Sequence, residues 1–78
     1  MNAMASVSET KPAGLGSLSS REVEVLDLIA IGLTNTDIAA RLDVTVHTVK
    51  FRLASIYKKL GVANRAQAVA TYLRRVTP

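Results

Sequence analysis

Apolar residues recur at intervals of three and four along most of the chain, the spacing that places them on one face of an α-helix. Four segments carry this pattern, and none of them shows the alternation of apolar and polar residues that is typical of half-buried strands. The pattern therefore predicts an all-α fold, a four-helix bundle.

The first helix is predicted from a capping box at its start and a glycine at its end. Ser19 and Glu22 have the types and spacing with which each side chain accepts a hydrogen bond from the other residue's amide. The helix then runs to about Ile31, and Gly32 suits the left-handed conformation that ends helices. Its inward residues are Val25, Leu26 and Ile29.

The second and third helices are joined by a very short link. Thr34 caps the second helix, with Asp37 three residues further on. The inward residues of this helix are Ile38, Ala39 and Leu42. Thr45 caps the third helix, which runs from Val46 to about Leu60 and is closed by Gly61. Two helices joined so tightly resemble a helix-turn-helix.

The fourth helix opens at Asn64, with Gln67 at its third position, and reaches about Arg75. Its core face is predicted to comprise Ala66, Val69, Ala70 and Leu73. The opposite face holds Ala68, Thr71, Tyr72 and Arg75. This opposite face is either ordinary surface or the seam of a two-fold dimer.

The third helix has an outward face of unusual composition. At about 100° per residue, Val49, Leu53, Ile56 and Leu60 form a core stripe within roughly 40° of Val49. The opposite side, called the outer strip below, holds His47, Lys50, Phe51, Ala54 and Lys58. Lysines can bind phosphates or guanine edges, and an aromatic ring and a methyl group suit thymine methyl groups in a major groove. The outer strip therefore predicts contact with DNA.

Residues beside the outer strip add to this prediction. The first amides of the third helix carry partial positive charge, and the hydroxyls of Thr45 and Thr48 lie with them, which suits a phosphate. Arg52, Tyr57 and Lys59 flank the strip and are long enough to reach the DNA backbone on either side.

Charge is divided unevenly along the chain. Residues 1–43 contain three basic and six acidic residues, whereas residues 44–78 contain seven basic residues and no acidic one. A purely basic half indicates a polyanionic partner, because cations that neutralise phosphates release bound counterions. The alternative is a solvated basic surface that only aids solubility.

Composition argues against several other classes of protein. The absence of cysteine excludes disulfides and thiolate metal sites and fits a reducing cytoplasm. His47 is the single histidine, so neither a metal site nor a catalytic triad is expected, and we predict no enzyme activity, cofactor or small-molecule ligand. No apolar run approaches the roughly 18 residues that span a membrane. Residues 1–17 are interpreted as a disordered leader or cloning remnant, and residues 18–78 as the domain.

Four motifs then identify a family. "REVEVL", "GLTNTDIA", "TVKFRLASIYKKLGV" and "NRAQAV" follow in this order between Leu18 and about Tyr72. Together they closely resemble the LuxR-type, or GerE-type, helix-turn-helix domain of bacterial transcriptional regulators, response regulators among them. The resemblance implies a partner of double-stranded DNA, with helix 46–60 in the major groove and the fourth helix in a weak homodimer.

The resemblance also implies roles for single residues. Lys50 matches a lysine that contacts bases or phosphates, and Phe51 matches the next exposed position. Ala54 stands where some members have a long polar side chain that reads bases. Positions that approach the DNA backbone are matched by Asn35, Thr45 and Thr48. The chain departs from the family pattern at two positions. Thr36 stands where many members have lysine, so one phosphate contact at the second helix is lost. Arg52 stands where histidine is commonest, and its permanent charge offsets that lost contact.

Two other functions compete with this interpretation. A protein-interaction module that docks on RNA polymerase or an acidic partner predicts an exposed apolar patch larger than one ring. A sigma-factor-like promoter-reading domain shares the helix-turn-helix, but "KKLGV" and "NRAQAV" argue against it. The residues leave open the operator sequence, the input signal, and whether the chain is a fragment or stands alone.

Overall fold

The computed structural model describes residues 15–76 of the chain. Four α-helices follow a 3₁₀ turn at Leu15–Ser17: α1 (Ser20–Ala30), α2 (Asn35–Leu42), α3 (Val46–Leu60) and α4 (Arg65–Val76). No strand occurs within these residues, so the predicted all-α fold is confirmed. The predicted leader lies mostly outside the described residues.

Side-chain caps fix where the first two helices begin. In α1 the amide of Glu22 donates to Ser19 Oγ over 3.1 Å, and the amide of Ser19 donates to Glu22 Oε1 over 2.8 Å. Thr34 and Asp37 form the same reciprocal pair in α2, at 3.1 and 3.2 Å. The capping box predicted for α1 and the Thr34 cap predicted for α2 are therefore present, and Asp37 makes the second cap a capping box as well.

The turn between α2 and α3 depends on one residue in the left-handed region. Asp43, the C-cap of α2, has φ 60° and ψ 47°. Aspartate is among the few residues other than glycine that adopt this conformation readily, because its short polar side chain can bond locally. The reversal at Asp43 lets α3 begin at Val46 and completes the helix-turn-helix.

The core lies on the inner side of α3. Val49, Leu53 and Ile56 of this helix are buried, and α3 packs against each of the other three helices. The buried apolar residues from those helices are Val25, Leu26, Ile29, Ile38, Ala39 and Ala68. Because its inner side is fully committed to this core, α3 presents its opposite side to solvent.

The predicted orientation of the fourth helix is wrong. Ala68 was expected on the outside and is fully buried, whereas Leu73 was expected in the core and is 46% exposed. The two alanines predicted for the core, Ala66 and Ala70, are also exposed. The buried side of α4 is therefore displaced by about one residue from the predicted one.

Two polar side chains explain this orientation of α4. The hydroxyl of Tyr72 donates to the carboxylate of Asp27 on α1, which turns the tyrosine ring towards the bundle. Arg65, at the start of α4, donates a hydrogen bond to the carbonyl oxygen of Leu33. Alanine buries little area, so these two larger side chains determine which face of α4 is turned inward.

Candidate nucleic-acid interface

The outer strip of α3 is exposed along its whole length. His47, Lys50, Ala54 and Lys58 are all exposed, and the Phe51 ring is 71% exposed. The predicted rotation of α3 is therefore confirmed. An apolar ring and methyl group lie between two lysines on one continuous face, since residues three and four apart are neighbours on a helix.

The start of α3 differs from the starts of α1 and α2. Thr45 Oγ1 accepts a hydrogen bond from the amide of Thr48 over 3.0 Å and donates one to Thr48 Oγ1, also over 3.0 Å. The first turn of α3 contains no acidic residue, whereas the first turns of α1 and α2 contain Glu22 and Asp37. No carboxylate of this turn therefore offsets the positive end of the helix dipole.

One edge of α3 is tied to α1. Lys59 Nζ donates to Glu22 Oε1 over 2.8 Å, and Ser55 Oγ donates to Glu22 Oε2 over 2.6 Å. Lys59 was predicted to flank the DNA, but the structure places its ammonium group on a carboxylate of the bundle. Arg52 and Tyr57, the other two predicted flanking residues, are half-buried.

The carboxylate of Glu22 is strongly held in its charged form. Burial on its own raises the pKa of Glu22, because the charged form loses solvation. Hydrogen bonds from Lys59, Ser55 and the Ser19 amide, together with the charge of Lys59, outweigh this effect and lower the pKa from 4.5 to about 2. Glu22 thus combines a helix cap with a link between α1 and α3.

The start of α2 is held by Arg65, a residue for which the sequence pattern predicts no specific role. Arg65 Nη2 donates to Asn35 Oδ1 over 2.7 Å, and Arg65 Nη1 donates to the Leu33 carbonyl oxygen over 3.0 Å. Asn35, a predicted DNA-backbone residue, is half-buried. In the sequence, Arg65 lies in the motif "NRAQAV" and counts only as one of the basic residues, because spacing along α4 does not indicate a contact with α2.

The four residues predicted for a dimer seam do not share one exposed face. Ala68 is buried, Thr71 and Tyr72 are half-buried, and Arg75 is exposed. The hydrogen bond to Asp27, followed by burial and the charge of Asp27, raises the pKa of Tyr72. Ala68 is therefore excluded from a seam as long as the fold is intact.

The remaining surface offers little support for the other classes of protein. Among the side chains described, residues 16–75, the large exposed apolar ones are Ile31 at the end of α1, Phe51 on α3 and Leu73 on α4. No group of three or more metal-ligating side chains is found among the residues described. In the same part of the chain, no helix has the length and apolar character to cross a membrane.

Comparison with known proteins agrees with this geometry. The sequence model described as "Bacterial regulatory proteins, luxR family" (GerE) matches residues 16–72, a range that includes the outer strip and both capping boxes. The chain belongs to the luxR family of bacterial regulatory proteins. The luxR family is one of DNA-binding transcriptional regulators, so the predicted family, fold and DNA-binding function are confirmed at this level.

Relatives in the luxR family are similar over most of this chain. The probable transcriptional regulatory protein SgaR of Hyphomicrobium methylovorum is 51% identical over 59 residues, which are 76% of this chain and 28% of SgaR. The transcriptional regulatory protein LiaR of Bacillus subtilis is 48% identical over 59 residues, 76% of this chain and 28% of LiaR. The chain thus spans less than a third of the length of either relative.

A solved structure shows the same fold. The response regulator ChrA of a heme-sensing two-component system superimposes with a TM-score of 0.74 and 39% sequence identity. The match covers 94% of this chain and 36% of the ChrA chain.

Proposed function

We propose that this luxR-family chain binds a specific double-stranded DNA site by placing α3, Val46–Leu60, in the major groove. The observation that carries the proposal is the outer strip, in which Lys50 and Lys58 enclose an exposed Phe51 ring. A cationic and partly apolar face of this kind matches the acceptors and methyl groups along the floor of the groove.

Within this proposal the residues divide into those that read bases and those that hold the backbone. Lys50 donates to guanine edges or to a phosphate, and Phe51 and Ala54 contact thymine methyl groups. The residues proposed to hold the phosphate backbone and so fix the register are Asn35, Thr45, His47, Thr48, Arg52 and Lys58.

We further propose that two copies bind DNA together through α4. The exposed side of this helix carries Ala66, Ala70 and Leu73, with Arg75 at its end. Small side chains beside one exposed leucine allow two such helices to approach closely across a two-fold axis. The area is small, so the dimer is expected to be weak in solution and to form mainly on DNA.

The length of the relatives indicates the kind of protein in which this domain acts. SgaR and LiaR are more than three times as long as the segment they share with this chain. We infer that the domain acts within a longer cytoplasmic regulator that carries an input domain and, when bound to DNA, lies on the nucleoid. RNA polymerase is a proposed further partner in that setting.

The proposal is tested by selecting bound duplexes from a random pool and titrating the selected site by fluorescence anisotropy at several salt concentrations. Several phosphate contacts make log affinity fall linearly and steeply with log salt, by about 0.9 for each phosphate neutralised. The same selection reports the spacing of two half-sites if the chain binds as a dimer. A flat salt dependence, or a pool without enrichment, contradicts the proposal.

A further inference from the structure

Arg65 connects the start of α4 to the start of α2. Its guanidinium donates to Asn35 Oδ1 over 2.7 Å and to the carbonyl oxygen of Leu33 over 3.0 Å. The two acceptors lie in the loop before α2 and on the first residue of α2. One side chain therefore fixes the position of α4 relative to the first turn of α2.

These bonds also determine how the Asn35 amide is oriented. A guanidinium has only donors, so the atom of Asn35 that faces it is the carbonyl oxygen. The NH2 group lies on the other side of the carboxamide and points away from Arg65. Asn35 is half-buried, which leaves part of its surface accessible. The carboxamide is thus held with its two N–H donors directed away from the bundle contact.

We propose that Arg65 is a positioning residue for DNA binding, which acts by presenting the NH2 group of Asn35 to a backbone phosphate. This inference rests on the proposed function of the outer strip. Thr36 carries no charge, and the first turn of α2 contains the carboxylate of Asp37. The Arg65 guanidinium is engaged with Asn35 and Leu33, so it acts through the orientation of Asn35, and Asn35 supplies the donor that reaches the DNA.

The salt dependence of binding separates positioning from direct contact. An arginine that neutralises a phosphate contributes about one unit to the slope of log affinity against log salt. A neutral amide contributes hydrogen bonds without releasing a counterion. If Arg65 acts through Asn35, Arg65→Gln lowers affinity and leaves the slope unchanged.

The test measures affinity for the selected duplex in Asn35→Ala, Arg65→Gln and the double variant, with unfolding temperature measured alongside. Each single change is expected to lower affinity about ten-fold, since each removes the same hydrogen bond to a charged acceptor. The double variant is expected to bind as weakly as either single one.

Two further variants test the charge of Arg65. Arg65→Lys keeps the charge but loses the two-pronged contact, and its affinity is expected to stay as low as that of Arg65→Gln. Arg74→Gln measures the cost of losing one exposed positive charge from α4.

A variant at Asn35 tests the proposal even if Arg65→Gln does not fold. Asn35→Asp keeps an acceptor for Arg65 and makes it a charged one, so its unfolding temperature is expected to equal or exceed that of the unchanged chain. It replaces the NH2 group with an oxygen, so affinity is expected to fall more than ten-fold. Thr36→Asp is the matched control, because it adds the same charge one residue further on at an exposed position. Its loss of affinity is expected to be clearly smaller.

Four results overturn the inference while the unchanged chain still binds DNA. They are unchanged affinity in Arg65→Gln, additive losses in the double variant, a salt slope reduced by about one in Arg65→Gln, and equal losses in Asn35→Asp and Thr36→Asp. Failure of the unchanged chain to bind any duplex from the pool overturns the proposed function itself, and this inference with it.

Discussion

Lys59 on α3 donates to Glu22 on α1 over 2.8 Å, and Glu22 in turn caps α1 through Ser19. The carboxylate side chain is only 8% exposed, whereas Lys59 is 37% exposed. The pair adds to the apolar core in holding the rotation of α3 about its axis, because Lys59 and Ser55 attach one edge of the helix to α1. That rotation directs the outer strip to solvent.

Replacing Lys50 is predicted to weaken DNA binding, whereas replacing Lys59 of the same helix is predicted to destabilise the fold. Lys50→Ala is expected to weaken specific DNA binding by about 1 to 3 kcal/mol and to leave the unfolding temperature nearly unchanged. Lys59→Ala is expected to lower the unfolding temperature, because it leaves the buried carboxylate of Glu22 without its charged partner. Anisotropy titrations and thermal melts of both variants check this pair. Equal losses of affinity with no loss of stability would show that Lys59 is a DNA residue after all.

Acid is predicted to destabilise the fold through Glu22. Its pKa in the folded protein is about 2, below the ordinary value of 4.5, so the unfolded chain takes up this proton first as pH falls. The stabilisation is therefore complete above pH 4.5 and is lost as pH falls from 4.5 to 2, up to about 3 kcal/mol. Urea unfolding between pH 2 and 7 measures it.

Glu22→Gln is the control for the other carboxyl groups, which titrate in the same range. This variant cannot bind or release a proton at position 22, so its stability is expected to change less with pH than that of the unchanged chain. Parallel curves for the two proteins would contradict the assignment of the acid sensitivity to Glu22.

A negative charge at the start of α3 is predicted to stabilise the fold and to weaken DNA binding. Thr48→Glu completes a capping box with Thr45 and offsets the helix dipole, which is expected to stabilise the protein by about 0.5 to 1 kcal/mol. The same carboxylate repels phosphates, so DNA affinity is expected to fall. Thr48→Gln is the neutral control, since it can cap the helix without the charge. Equal affinities of the two variants would argue against a phosphate at this helix end.

The corrected orientation of α4 is tested by two alanines. Ala68→Asp buries an unpaired carboxylate in the core and is expected to cost at least about 3 kcal/mol of stability, whereas Ala70→Asp lies on the surface and is expected to change stability by less than about 1 kcal/mol. Chemical denaturation measures both. The reverse order of stabilities would restore the orientation predicted from sequence.

The sequence predicted the orientation of α3 correctly and that of α4 incorrectly, because the two helices differ in the size of their apolar residues. The inner face of α3 carries large apolar residues, Val49, Leu53 and Ile56, so only one rotation buries them. In α4, alanines stand on both alternative faces, Ala66 and Ala70 on one and Ala68 on the other, and the choice falls to Tyr72 and Arg65. Their partners lie on α1 and in the loop that follows it, far away in sequence, and no periodicity reports such a pairing.

The candidate site was predictable where it depended on local pattern. The exposed Phe51 ring and the caps at Ser19, Thr34 and Thr45 follow from spacing within a few residues. The ion pair that holds Lys59 depends on the contact between α1 and α3, which the sequence did not specify. Helical spacing alone therefore did not show that Lys59 pairs with Glu22 of α1.

Contact between the outer strip and DNA is tested by mapping amide chemical-shift changes by NMR as the selected duplex is titrated into the labelled protein. The largest changes are expected at residues 45–58 and at the start of α2, with small changes at Glu24 and Leu28 on α1. Large changes on α1 with an unaffected outer strip would contradict the claim that this face of α3 lies against DNA.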